Sequence, residues 1–172
     1  MDEIIIVEYN PDWKFMFQQE ATHIRELLGE SLIHRIEHFG STSVPGLAAK
    51  PIIDLLIEVS SLEEAKQIAI PQLKLLRYEY WFDNPDPGRM FFVKGLPANG
   101  PRTHHVHIVE ADSILWECLI FRDYLCQHPD EAARYAKLKR NLAQRFSSDR
   151  EAYTTGKTDY IKSVMEKAQL QQ

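Results

Sequence analysis

An α+β fold, with helices packed against a mixed β-sheet and a helical C-terminal part, is predicted by three observations. A helical stripe opens the chain, short segments of strand character fill the middle, and helical periodicity runs from Ser113 to the end. Helix, then mixed strands, then helices argue for helices laid against one sheet.

The elements follow in order. Asn10-Pro11-Asp12 reads as a helix start, with Asn as cap, Pro at the first position and an acid in the first turn. Trp13, Phe17, Ala21, Ile24 and Leu28 recur behind it at helical spacing, and Gly29 ends or interrupts the helix. Residues 32–39 fit either a strand or a short helix. Ile52–Val59 follows Pro51, is short and apolar, and stops at Ser60-Ser61, which predicts a buried strand. Ser61-x-x-Glu64 is a capping box for a helix reaching about Gln72. Aromatic segments at Leu76–Phe82 and Met90–Val93 flank the turn-rich NPDPG (Asn84–Gly88), so a hairpin or long loop is expected there. GLPANGP (Gly95–Pro101) is a second loop, and THHVHIVE after it alternates like a strand. In the C-terminal part Tyr135, Leu138, Leu142 and Phe146 form a stripe, and Ser148-x-x-Glu151 offers another capping box.

The 172 residues fit a single domain over 1–172 with room for a real core, and no repeat, low-complexity tract or linker divides them. Twenty Lys and Arg against 25 Asp and Glu give a net charge of −5, which excludes a broad nucleic-acid surface while leaving room for a local basic cluster on a small anion. The start MDEIIIVEYN is acidic and its apolar run too short for a signal peptide. No window approaches the roughly 20 apolar residues of a membrane span, so no membrane partner is expected. Cys118 and Cys126 stand eight apart in one helical stretch, a spacing that disfavours a disulfide, and the expected compartment is the reducing cytoplasm.

The chemistry concentrates in HFGSTSVPGLAAKPIIDLLIEV, His38–Val59. Gly40 lets a ligand approach the main chain, and Ser41, Thr42 and Ser43 add hydroxyls that form either an anion cradle or the caps of a tight connection. Asp54 interrupts an apolar strand, where an unpaired charge is costly. It reads as a ligand for a divalent cation or as the partner of Lys50 or an arginine. Glu58 shares its face but lies roughly 13 Å along the strand, too far to share one ion. His105 and His107 share a face of their strand and His104 takes the other; the pair can hold a transition metal, meet a phosphate when protonated, or serve structure. Arg89 and Arg102, in the two loops, suit phosphate clamping or remain solvated charges.

Two motifs are set aside. His34-x-x-Glu37-His38 copies a zinc-peptidase pattern, but Phe39-Gly40 would end the helix it requires. Thr155-Gly156-Lys157-Thr158 imitates the end of a P-loop, yet the first glycine would have to stand where Glu151 does, and Lys157 reads as a helix-surface residue.

The stretch with PGLAAKP, then RTHHVHIVE, then WECLIFRDYLCQHPDEAARYAKLKRNLA and YTTGKTDYIKSVMEKA, in that order, resembles the GrpB-like proteins over roughly residues 5–168. That family is similar in fold to the nucleotidyltransferases typified by polymerase beta, in which a Gly-Ser turn precedes a strand bearing two carboxylates and a later strand bears a third. The resemblance implies a nucleotidyltransferase-like mixed sheet and places Gly40 and Ser41 on the turn and Asp54 on the first carboxylate. It further implies phosphate contacts from Thr42, Lys50, Arg89 and Arg102, and a divalent metal (Mg, Mn or Zn) on Asp54, His105 and His107. The implied chemistry is transfer of a nucleoside monophosphate from a nucleoside triphosphate, with Asp54 as the catalytic carboxylate. The sequence departs from the pattern at Leu56, where the second carboxylate would stand, and at the third, where His105 or His107 stands. A binding module for a nucleotide or phosphorylated metabolite, or one supporting a partner enzyme, is the alternative those departures leave open.

Overall fold

A computed structural model describes residues 3–95 and 100–170. Helix α1 (Asp12–Leu28) begins one residue later than the cap assignment implied: Pro11 occupies the cap position, and Asn10 serves it from outside by accepting the Asp12 N–H at 2.9 Å. Residues 32–39 resolve into strand β1 (Arg35–Phe39), which also removes the helix that the His34–His38 motif needs. A short 3₁₀ turn at Ser41–Ser43 leads toward β2 (Ile53–Glu58). Helix α2 (Leu62–Leu75) is capped by Ser61 as expected, but runs past Gln72 with Pro71 inside it, held by the fully buried Ala69 and Leu73. Strands β3 (Tyr78–Tyr80) and β4 (Met90–Lys94) pair antiparallel across the NPDPG turn. The Gly95–Pro101 loop falls partly outside the described residues, and β5 (His104–Val109) follows it.

The helical part is a series of pieces. After a 3₁₀ turn at Ile114–Glu117 come α3 (Cys118–Gln127), α4 (Pro129–Arg145), α5 (Arg150–Thr155) and α6 (Thr158–Gln169). The expected Ser148 box is corrected by one residue. Asp149 is the cap, its carboxylate accepting the Ala152 N–H at 2.9 Å, an arrangement open to the shorter Asp side chain directly before α5.

The sheet order is β1-β2-β5-β4-β3; β2 and β5 run parallel and every other pair antiparallel, so the sheet is mixed. Side chains alternate across a strand, so register decides which residues share a face. On one face Ile53, Leu55, Ile57, Phe92, Val106 and Ile108 pack under α1 and α2 in the main core. The other face carries a row of Phe39, Asp54, His105 and Val93 and, beside it, a row of Glu37, Leu56, His107 and Phe91. Leu56 is fully buried there with Phe39, Val109 and Leu119 of α3. Helices α3, α4 and α6 close around Val44, Leu47 and Ala48, covering the segment between the 3₁₀ turn and β2. No helix among the described residues is long and apolar enough to cross a membrane.

Candidate metal and phosphate site

The site is built where the two parallel strands meet the turn after β1. Gly40 has φ 72° and ψ −177°, a backbone conformation that side chains resist. The space its missing side chain leaves is filled by Asp54: a Cβ on Gly40 would lie 2.4 Å from Asp54 Oδ2. The parallel register sets Asp54 opposite His105, with His107 one step further on the same face. His105 Nδ1 stands 3.1 Å and His107 Nε2 3.8 Å from Asp54 Oδ1.

These three side chains can offer donor atoms that all lie within 4.8 Å of one another. A tetrahedral ion with bonds of about 2.1 Å needs ligands roughly 3.3 Å apart, so a small inward adjustment of the set would seat one. Burial works to raise the Asp54 pKa, but hydrogen bonds from His105 and His107 outweigh it and hold the carboxylate well below its usual range. Burial lowers His107 against the pull of Asp54. An ionised carboxylate beside a neutral imidazole follows, and those are the protonation states that ligate metals. The far nitrogen of His105, Nε2, is buried with no hydrogen-bond partner among the described residues. A bound ligand normally explains such an atom.

Arg89 belongs to this cluster. Its guanidinium lies over the Phe91 ring at 5.5 Å, places Nη1 3.4 Å from His107 Nδ1, and donates from Nη2 to Asn84 Oδ1 at 3.1 Å. Arg102 stacks over Trp81 at 5.7 Å, and its charge reaches Lys50. Lys50 sits 5.2 Å from the Tyr153 ring centroid; burial first, then the charges of Lys157 and Arg150, lower its pKa to about 8. Asp54 is hydrogen-bonded to histidines, not paired with Lys50 as the plainest sequence reading allowed.

The two hydroxyls beside Gly40 diverge. Thr42 is buried, donates to Ile52 O at 3.1 Å and lies 3.0 Å from His38 Nε2, so its hydroxyl is spent on holding the turn. Ser41 lines a cavity of about 410 Å³ between the sheet face and the C-terminal helices, walled mostly by apolar groups including Val44, Phe121, Ile161 and Met165. A volume of that order suits a small-molecule ligand.

Three cations escaped the sequence reading. Lys139 is 2% exposed on α4, and Lys157, expected on a helix surface, stands half-buried 4.6 Å from the Tyr153 centroid. Arg150 heads α5 and its charge is felt at Lys50. The available signal for Lys139 was its place four residues after Tyr135, inside the apolar stripe.

The model of the GrpB protein family matches residues 3–167. A UPF0157 protein of Pseudomonas aeruginosa is 44% identical over 171 residues, covering 97% of this chain and 68% of that protein. The glutamate-rich protein GrpB of Alkalihalophilus pseudofirmus is 33% identical over 165 residues, covering 95% of this chain and 94% of that one. A crystal structure of conserved protein GrpB from Enterococcus faecalis matches the fold with a TM-score of 0.85 at 38% identity, over 95% of this chain and 96% of that chain. With nearly its full described length matched in sequence and in fold, the chain belongs to the GrpB family.

Proposed function

We propose that this chain is a nucleotidyltransferase-like protein that binds a nucleoside triphosphate through a divalent cation on Asp54, His105 and His107, and transfers the nucleoside monophosphate to an acceptor. The observation that supports it is the convergence of one ionised carboxylate and two imidazoles beside a glycine turn. Bound there, a cation would supply charge neutralisation for phosphate oxygens. A donor set of two nitrogens and one oxygen favours Zn²⁺ or Mn²⁺ over Mg²⁺.

The protein's own groups do the rest. When His107 Nε2 is used as a ligand, Nδ1 must carry the ring proton and ceases to accept from Arg89. The guanidinium, now facing a donor, turns to a phosphate oxygen, where its paired N–H groups fit. Gly40 keeps the turn backbone bare for the approach of phosphates. The apolar cavity beyond Ser41 takes the base.

A second reading, binding without transfer, is favoured by Leu56. It fills the second carboxylate position with a fully buried side chain, so two cations are not held in the usual way. Calorimetric titration of metal-stripped protein with nucleoside triphosphates, each with Mg²⁺, Mn²⁺ or Zn²⁺, tests both. Binding that requires nucleotide and metal together is expected. Release of pyrophosphate on adding an acceptor selects transfer over binding, and absence of nucleotide binding under every metal removes both readings.

A further inference from the structure

We propose that Lys50, Lys139 and Lys157 form an oligophosphate site, completed by the C-terminal helices, that grips a linear phosphate chain beside Asp54. The site stands on observations separate from the metal triad and borrows from the reading above only the suggestion that the phosphates belong to a nucleotide.

The three ammonium groups come from three elements: the turn before β2, the middle of α4, and the junction of α5 and α6. Tyr153, 1% exposed, is their common support, with Lys50 at 5.2 Å and Lys157 at 4.6 Å from its ring centroid. Lys139 lies over the Tyr135 ring at 4.8 Å and donates to Ala48 O at 2.6 Å. The bend that returns Lys157 to Tyr153 passes through Gly156, where a Cβ would meet Leu142 Cδ2 at 2.6 Å.

None of the three has a carboxylate ion-pair partner among the described residues, although buried lysines are almost always paired. Each is instead pushed toward neutrality. Burial and then Lys157, Lys50 and Arg140 bring Lys139 to about 7, while burial lowers Lys157 against the pull of Asp54. Clustered cations without acids oppose folding, and an anion relieves that opposition. Three positive charges along a line of elements match an oligophosphate better than a single phosphate.

The test is calorimetry with sodium tripolyphosphate, pyrophosphate and orthophosphate, in EDTA so that no divalent cation takes part. Wild-type protein should bind tripolyphosphate at least tenfold more tightly than orthophosphate. Lys157→Met and Lys50→Met should each weaken tripolyphosphate at least tenfold, and leave Zn²⁺ or Mn²⁺ binding by metal-only titration unchanged within threefold. Without ligand, Lys157→Met should melt no lower than wild type, because it removes an unpaired, half-buried charge. Equal affinity for ortho- and tripolyphosphate overturns the proposal, as does a Lys157→Met protein that loses thermal stability with tripolyphosphate affinity intact. Tripolyphosphate binding without any nucleotide binding in the earlier titration overturns the nucleotide reading and sustains this one.

Discussion

The carboxylate of Asp54 occupies the place of the side chain that Gly40 lacks, its Oδ2 2.4 Å from where a Cβ would be. Two features separated in sequence are thereby one feature in space. The glycine keeps the turn open, and the aspartate that fills the opening is held by His105 and His107 from the neighbouring strand. A carboxylate that looks anomalous in an apolar strand is explained by its surroundings.

Gly40→Ala is accordingly expected to cost on the order of 2–4 kcal/mol in urea denaturation, from the positive φ and the collision with Asp54 together. In the double variant with Asp54→Ala the collision disappears, so the two costs should sum to more than the measured loss by about 1 kcal/mol or more. Strict additivity would show that the two residues do not press on each other.

Asp54→Asn keeps the shape and removes the charge. Stability should fall by no more than about 2 kcal/mol, the worth of the charge-assisted share of the histidine hydrogen bonds. Metal affinity should fall below detection. His105→Ala combined with His107→Ala should do the same to the metal, measured by equilibrium dialysis. Retained metal in either variant removes those residues from the site.

Strand β2 and the common face of His105 and His107 were legible because a two-residue period fixes sides locally. That Asp54 meets His105 was not, because the parallel pairing of β2 with β5 joins residues about fifty positions apart, across a helix and two other strands. Thr42 read as a free hydroxyl, and only the approach of Ile52 O and His38 shows it committed. Lys139 and Lys157 were missed for a related reason. A lysine in a helix keeps its head in water unless packing elsewhere closes over it, and here closure comes from Tyr153, Tyr135 and the Ala48 carbonyl. Likewise, the box spacing pointed to Ser148, whereas the local geometry of α5 selects its neighbour Asp149.

Acid should loosen the fold through His38, which stacks on Phe17 at 4.7 Å and is lowered to about 4, by burial first, with Asp54 opposing. The unfolded chain binds a proton near pH 6.5 and the folded chain resists it until about 4, so the stabilising preference for neutral His38 is complete above 6.5 and lost as pH falls toward 4. His104 and His107, also lowered by burial, act in the same direction. Asp54 does not, since its contribution is lost only at pH values below the ordinary carboxylate range. At roughly 1.4 kcal/mol per pKa unit, the His38 share is on the order of 3 kcal/mol. His38→Gln should therefore show a shallower fall in urea midpoint between pH 6.5 and 4 than wild type; parallel curves would remove His38 as the cause.

The cavity beyond Ser41 can be read through its own thiol. Cys118 lines it, whereas Cys126 is exposed on the same helix and serves as an internal control. Both thiols are raised by burial first, with Glu117 adding to Cys118 and Asp123 to Cys126, so alkylation is best followed at mildly alkaline pH. If the base of a nucleotide enters the cavity, nucleoside triphosphate with Mn²⁺ should slow iodoacetamide labelling of Cys118 at least fivefold and leave Cys126 unchanged, as counted by peptide mass spectrometry. Inorganic tripolyphosphate, which has no base, should bind its lysines without protecting Cys118. Protection by tripolyphosphate alone would mean that the cavity closes on phosphate binding, and no protection by any nucleotide would place the base elsewhere.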